Sequence, residues 1–130
     1  MSLMYRILAL RARTLLMGLL LPGLAALPLG LVQAHAVVTE SSLSHESIKA
    51  GHETTVVLFF NSNVELSLSR VFLVSKGDVY HPATITRGKK PGELHIRLPA
   101  LEAGDYAIKY KVFAADGHLT ENAIRFHAAP

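Results

Sequence analysis

Asp116-Gly117-His118 sets a carboxylate and an imidazole two positions apart near the C-terminal end of the chain. In extended backbone that spacing puts both side chains on one face. Asp-Gly between two apolar runs is also a hairpin turn signal, so a turn alone accounts for the first two residues. A carboxylate and an imidazole converging from one rigid hairpin supply part of a metal site. The remaining histidines are His35, His45, His52, His81, His95 and His127. His95 and His127 fall on outward strand positions, and His81 beside Pro82 reads as a strand-edge residue. His45 and His52 flank a loop and are candidates for a secondary metal contact, since imidazoles on a loop are adaptable ligands.

His35 is the exception, because it lies in Leu31-Val-Gln-Ala-His-Ala-Val-Val38, beside a processing signal. The first 34 residues contain Arg6, Arg11 and Arg13, no acid, and an apolar run from Thr14 to Val32. A charged start, an apolar stretch and small residues at a cleavage point describe a secretory signal peptide. The run approaches the roughly 20 residues that span a bilayer, but Pro22, Gly23, Pro28 and Gly30 interrupt a continuous helix. The expected division is therefore a signal peptide over residues 1–34 and one exported, soluble domain over residues 35–130. Val32-Gln-Ala34 and Ala34-His-Ala36 both satisfy the small-residue rule, so the local sequence allows a cut after Ala34 or after Ala36.

The cut decides the chemistry. A free N-terminal histidine offers its α-amine and Nδ1 to one metal, and the amine is acidic enough for a bound metal to displace its proton near neutral pH. With His118 that makes three nitrogens, and Asp116 adds an anionic oxygen. Nitrogen-rich tetragonal sites suit Cu(II), which also heads the divalent affinity order. No cysteine is present, and the three methionines are Met1, Met4 and Met17. The exported part thus has neither thiolates nor the thioethers that Cu(I) prefers. The converging pair at residues 116–118 makes chemical sense with a histidine terminus, which favours cleavage after Ala34.

Charge excludes another class of function. Three of the 13 Lys and Arg residues fall in the first 34 positions and none of the 10 Asp and Glu does, so residues 35–130 carry ten charges of each sign. The basic character of the whole chain belongs to the export signal and gives no support to nucleic-acid binding.

The domain that must position these residues reads as all-β. Thr54–Phe60 is β-branched and aromatic and ends at Asn61-Ser-Asn63. Ser69–Val74 runs into the turn signal Lys76-Gly-Asp78, and Tyr80–Thr86 reads as one short strand with Pro82 near an edge. Glu93–Leu98 alternates, with Leu94, Ile96 and Leu98 inward. Tyr106, Ile108, Tyr110 and Val112 share one face, and Ile124 and Phe126 face inward in the run from Leu119 to His127. About seven strands at regular spacing, with no amphipathic helix, predict an immunoglobulin-like antiparallel Greek-key β-sandwich.

The chain also resembles the CopC family of periplasmic copper-binding, copper-resistance proteins over essentially all of residues 35–130. The likeness is carried by His35-Ala36, by Val57-Leu-Phe-Phe-Asn-Ser-Asn-Val64 and by Ser69-Arg-Val-Phe-Leu-Val74. Its most specific part is Leu98-Pro-Ala-Leu-Glu-Ala-Gly-Asp-Tyr106 leading into Tyr110-Lys-Val-Phe-Ala-Ala-Asp-Gly-His118. The resemblance implies Cu(II) ligation by His35, Asp116 and His118, and points to the same cut after Ala34. It departs from the family at Ser42-Leu43-Ser44, where S-x-P is common, and at Ser62, where some members have Glu. The chain also lacks the methionine-rich Cu(I) site of some members, and what remains resembles the single-site, Cu(II)-only branch of the family.

The function expected is copper homeostasis without catalysis: sequestration, or delivery to an inner-membrane partner resembling CopD. Two other classes compete. A copper oxygenase of the histidine-brace type also uses an N-terminal histidine and a second histidine, but needs an open coordination position that Asp116 would tend to occupy. An immunoglobulin-like interaction module would use Asp116-Gly117 merely as a turn.

Overall fold

The computed structural model describes residues 35–130, and the leader expected over residues 1–34 lies outside them. The strands are β1 Val38–Ser41, β2 Ile48–Lys49, β3 Thr54–Phe60, β4 Arg70–Ser75, β5 Val79–Pro82, β6 Thr84–Arg87, β7 Glu93–Leu98, β8 Gly104–Phe113 and β9 Leu119–Ala129. Short 3-10 turns occupy Ser42–Ser44 and Leu66–Leu68. One sheet has the order β1-β3-β7-β6 and the other β2-β9-β8-β4-β5. This is the all-β, two-sheet architecture expected from the alternation.

The period-2 pattern explains how the sheets hold together. Val56, Leu58 and Phe60 of β3 and Leu94, Ile96 and Leu98 of β7 turn into one core with Val71, Leu73, Ile108, Tyr110 and Val112 of the other sheet. Leu58, Leu94, Ile96, Leu98 and Ile108 are fully buried, and each such side chain contributes about 1.5–3 kcal/mol by leaving water. Phe60 and Tyr110 meet edge to face across the sheets, ring centroids 5.6 Å apart. Burial raises the Tyr110 pKa above its ordinary value. The buried Ser69 hydroxyl donates to the Glu65 carbonyl at 2.8 Å and accepts the Phe113 N–H at 3.1 Å. Each of its polar contacts replaces one lost to water.

Three details differ from the sequence reading. The run Tyr80–Thr86 is two strands, not one: β5 is the outer strand of the five-stranded sheet and β6 that of the four-stranded sheet. The chain changes sheet at Pro82–Ala83, where the Ala83 N–H still reaches the Val71 carbonyl at 2.9 Å. With that split and the short strands β1 and β2 the count is nine, against the about seven expected. The pairing is not wholly antiparallel, because Ile48 and Lys49 run parallel to Ala128 and Ala129. A two-residue strand leaves too short a periodic signal to be read from sequence.

Candidate metal centre

β8 and β9 pair from Gly104–Ala128 up to Phe113–Leu119, which brings Asp116 and His118 to the tip of the longest hairpin. Ala114 closes the hairpin by donating its N–H to the His118 carbonyl and accepting that of Gly117, both at 2.9 Å. The three-residue loop Ala115–Gly117 ends in the left-handed region, φ 86° at Gly117, which glycine enters without a Cβ penalty. Asp116 Oδ1 accepts the His118 backbone N–H at 3.0 Å, and Oδ2 lies 2.8 Å from His118 Nδ1. The carboxylate and imidazole do converge, but through this turn and not through strand alternation. Nδ1 of His118 is paired to Asp116 in this arrangement, so joint ligation of one ion by both side chains requires that hydrogen bond to open.

His35 reaches the same place from the other end of the domain. Its ring stands edge-on to that of His118, centroids 5.3 Å apart at 72°. Ala36 is fully buried, so the segment is seated in the core one residue after the histidine. Val37 is gripped on both backbone atoms: its N–H donates to Asn61 Oδ1 at 2.8 Å and its carbonyl accepts the Asn61 N–H at 3.0 Å. Two positions along, the Asn63 carbonyl accepts the Ala115 N–H at 3.0 Å, and Val64 bridges to Ala114. The segment 61–64 therefore touches both the N-terminal strand and the hairpin. Gly92, at φ 75°, lies under it: a Cβ there would run into the Phe60 carbonyl oxygen.

Two imidazoles bound to one ion through metal–nitrogen bonds of about 2 Å have ring centroids roughly 4.5–6.5 Å apart, depending on the angle at the metal. The His35–His118 separation falls inside that interval. The His118 backbone N–H, then its ring, hold the Asp116 carboxyl below its ordinary pKa; the charges of His118 and His35 act in the same direction, against the effect of burial. The donor set is nitrogen and oxygen throughout, half open to solvent at His118. Among the described residues no group of three or more His, Asp and Glu side chains stands in ready metal-holding geometry. The hairpin pair and His35 are adjacent, and ligation requires their ring atoms to turn toward a common point.

The other histidines lie apart from this cluster. His45 Nε2 is 3.9 Å from Glu40 Oε1 after the first 3-10 turn, and His52 is exposed in the turn before β3. His81 is on β5, with Nε2 3.1 Å from the Ser75 hydroxyl. His95 pairs with Glu93 at 2.6 Å on β7, and His127 with Asp105 at 2.8 Å across β8 and β9. The sequence assigns no positioning role to Asn61, Asn63 or Gly92: Asn61-Ser-Asn63 marks the end of a strand there and part of a stretch that carries the family resemblance.

Residues 38–129 match the CopC domain family. The chain belongs to the CopC family. Its fold is shared with CopC from Methylosinus trichosporium OB3b, with a TM-score of 0.63, 28% sequence identity, and coverage of 74% of this chain and 95% of that one. The methionine-rich copper resistance protein PcoC from Escherichia coli matches with a TM-score of 0.54 at 22% identity, over 73% of this chain and 99% of PcoC. No curated protein matches the chain. PcoC is described as methionine-rich, whereas the methionines of this chain are confined to positions 1, 4 and 17.

Proposed function

We propose that this CopC-family chain is exported to the periplasm, cut between Ala34 and His35, and there binds one Cu(II) through His35, Asp116 and His118. The observation that carries the reading is the placement of the His35 ring 5.3 Å from that of His118. The new terminus would supply its α-amine and Nδ1, His118 its imidazole, and Asp116 an oxygen. The family membership and the copper-resistance neighbour support copper as the metal, and the nitrogen-rich donor set favours the cupric state. With no thioether in residues 35–130, the site suits holding one oxidation state, and the protein serves sequestration or delivery to a CopD-like membrane partner without turnover.

The burial of Ala36 supports the choice of cut. Cleavage after Ala36 would discard a residue that the core uses, as well as two of the donor nitrogens. The test is intact mass of the protein recovered after export, with and without one equivalent of Cu(II). A mass beginning at His35 and a stable 1:1 adduct are expected. One extra residue ahead of His35 replaces the amine by an amide and should weaken binding sharply; unchanged tight binding by that variant overturns the assignment.

A further inference from the structure

Asn61 belongs to neither partner of the histidine pair, yet it fixes where one of them stands. Its side-chain oxygen takes the Val37 N–H at 2.8 Å while its own N–H is given to the Val37 carbonyl at 3.0 Å. A backbone pair alone would leave the Val37 N–H to water at this exposed position and let the terminus swing. The side-chain bond closes a second link, so residue 37 is held through both its N–H and its carbonyl. Only Ala36, sunk in the core, separates this clamp from His35. The same short segment grips the hairpin, through the Asn63 carbonyl to the Ala115 N–H at 3.0 Å. One loop thereby sets the distance between two segments that lie at opposite ends of the domain sequence.

We infer that Asn61 is a positioning residue for the metal site: its side chain registers the N-terminal segment against the 115–118 hairpin and so holds His35 beside His118. This rests on the proposed site and deepens it. The physical reason is preorganisation, since a terminus free to swing must be ordered when the metal binds, and that cost weakens affinity. The contribution comes from one neutral hydrogen bond at a surface position, so the core is not involved.

The experiment uses the full chain, exported by the host and recovered with His35 as its first residue. Asn61→Ala, Asn61→Asp and His35→Ala are compared with the parent by Cu(II) competition titration, by electron paramagnetic resonance of the 1:1 complex and by thermal melting of the metal-free form. Loss of one hydrogen bond predicts that Asn61→Ala weakens Cu(II) binding about tenfold and alters the copper hyperfine pattern, with the metal-free melt lowered by no more than the about 4–8 °C that one such bond allows. Asn61→Asp keeps an oxygen for the Val37 N–H and should restore both the affinity and the spectrum. Parent-like binding and spectrum in Asn61→Ala overturn the inference. So does a loss that Asn61→Asp shares, or a fall in melting temperature well beyond what one hydrogen bond accounts for. If His35→Ala also binds as the parent does, the site assignment itself fails and the inference falls with it.

Discussion

The five-stranded sheet carries two histidine–aspartate pairs of the same length, one at each end of the β8–β9 hairpin. His118–Asp116 and His127–Asp105 both bring Nδ1 to 2.8 Å from a carboxylate oxygen. They differ in everything around that bond. Asp105 and His127 face each other across two strands, with side chains 92% and 60% exposed. Asp116 is tied to the His118 backbone as well as to its ring, in a loop closed by Ala114, and a second imidazole stands against the pair. A contact distance therefore does not identify a site. What separates the two ends is how many independent bonds fix each donor, and whether another donor is delivered to the same point.

The largest expected effect on this comparison is on metal binding. His118→Ala and His35→Ala should each weaken Cu(II) binding by about a hundredfold or more, since even residues that only support a ligand are worth roughly 10–100-fold. His127→Ala should leave it within about twofold by the same titration. Equal losses at the two ends would erase the distinction. Next comes Gly117→Ala, which forces a side chain into φ 86°. It should cost about 1 kcal/mol or more, a fall of about 4–8 °C in melting temperature for a domain of this size, together with weaker Cu(II) binding. An unchanged melt would show that the loop conformation is not what seats Asp116.

A smaller effect is set by acidity. The Asp116 carboxyl is held below its usual value of 3.8, chiefly by the His118 backbone N–H. A depressed carboxylate stabilises the fold above its unfolded pKa, and that contribution disappears as pH falls through the lower folded value. In the metal-free protein, the melting-temperature gap between the parent and Asp116→Asn should be full above pH 3.8 and close on further acidification. A gap that widens in acid contradicts the assignment. Smallest of all should be Asp105→Asn, an exposed surface pair where a shift of no more than ~3 °C is expected. A larger one would mean that the far pair holds the sheet in a way its exposure does not suggest.

The elements were legible where alternation and turn signals agree. β3 and β7 have the bounds Thr54–Phe60 and Glu93–Leu98 that the pattern gives, because each ends at a polar or proline break. Alternation records which side a residue faces but not which sheet it joins, so Tyr80–Thr86 looked like one strand when its halves belong to different sheets. The same limit hid the parallel β2–β9 pair. Asp116 and His118 were readable as neighbours because their relation is local. His35 could be linked to them only through the chemistry of a free terminus and the family resemblance. Asn61 was legible as a strand end and as part of a resembling stretch, but not as a clamp: that part depends on meeting the backbone of Val37, and backbone atoms leave no mark on a sequence.

The step from β5 to β6 at Pro82–Ala83 has a consequence for how these molecules behave in a crowd. One run of chain ends both sheets on that flank, so each border offers only four residues before it turns away. Within β5, Pro82 has no N–H to give a neighbour, and the strand is entered through Asp78 at φ 56°. A second copy seeking to extend either sheet there meets a short, interrupted template, the kind of border that discourages fibre growth. On that flank neither sheet offers a second copy a long strand to pair with.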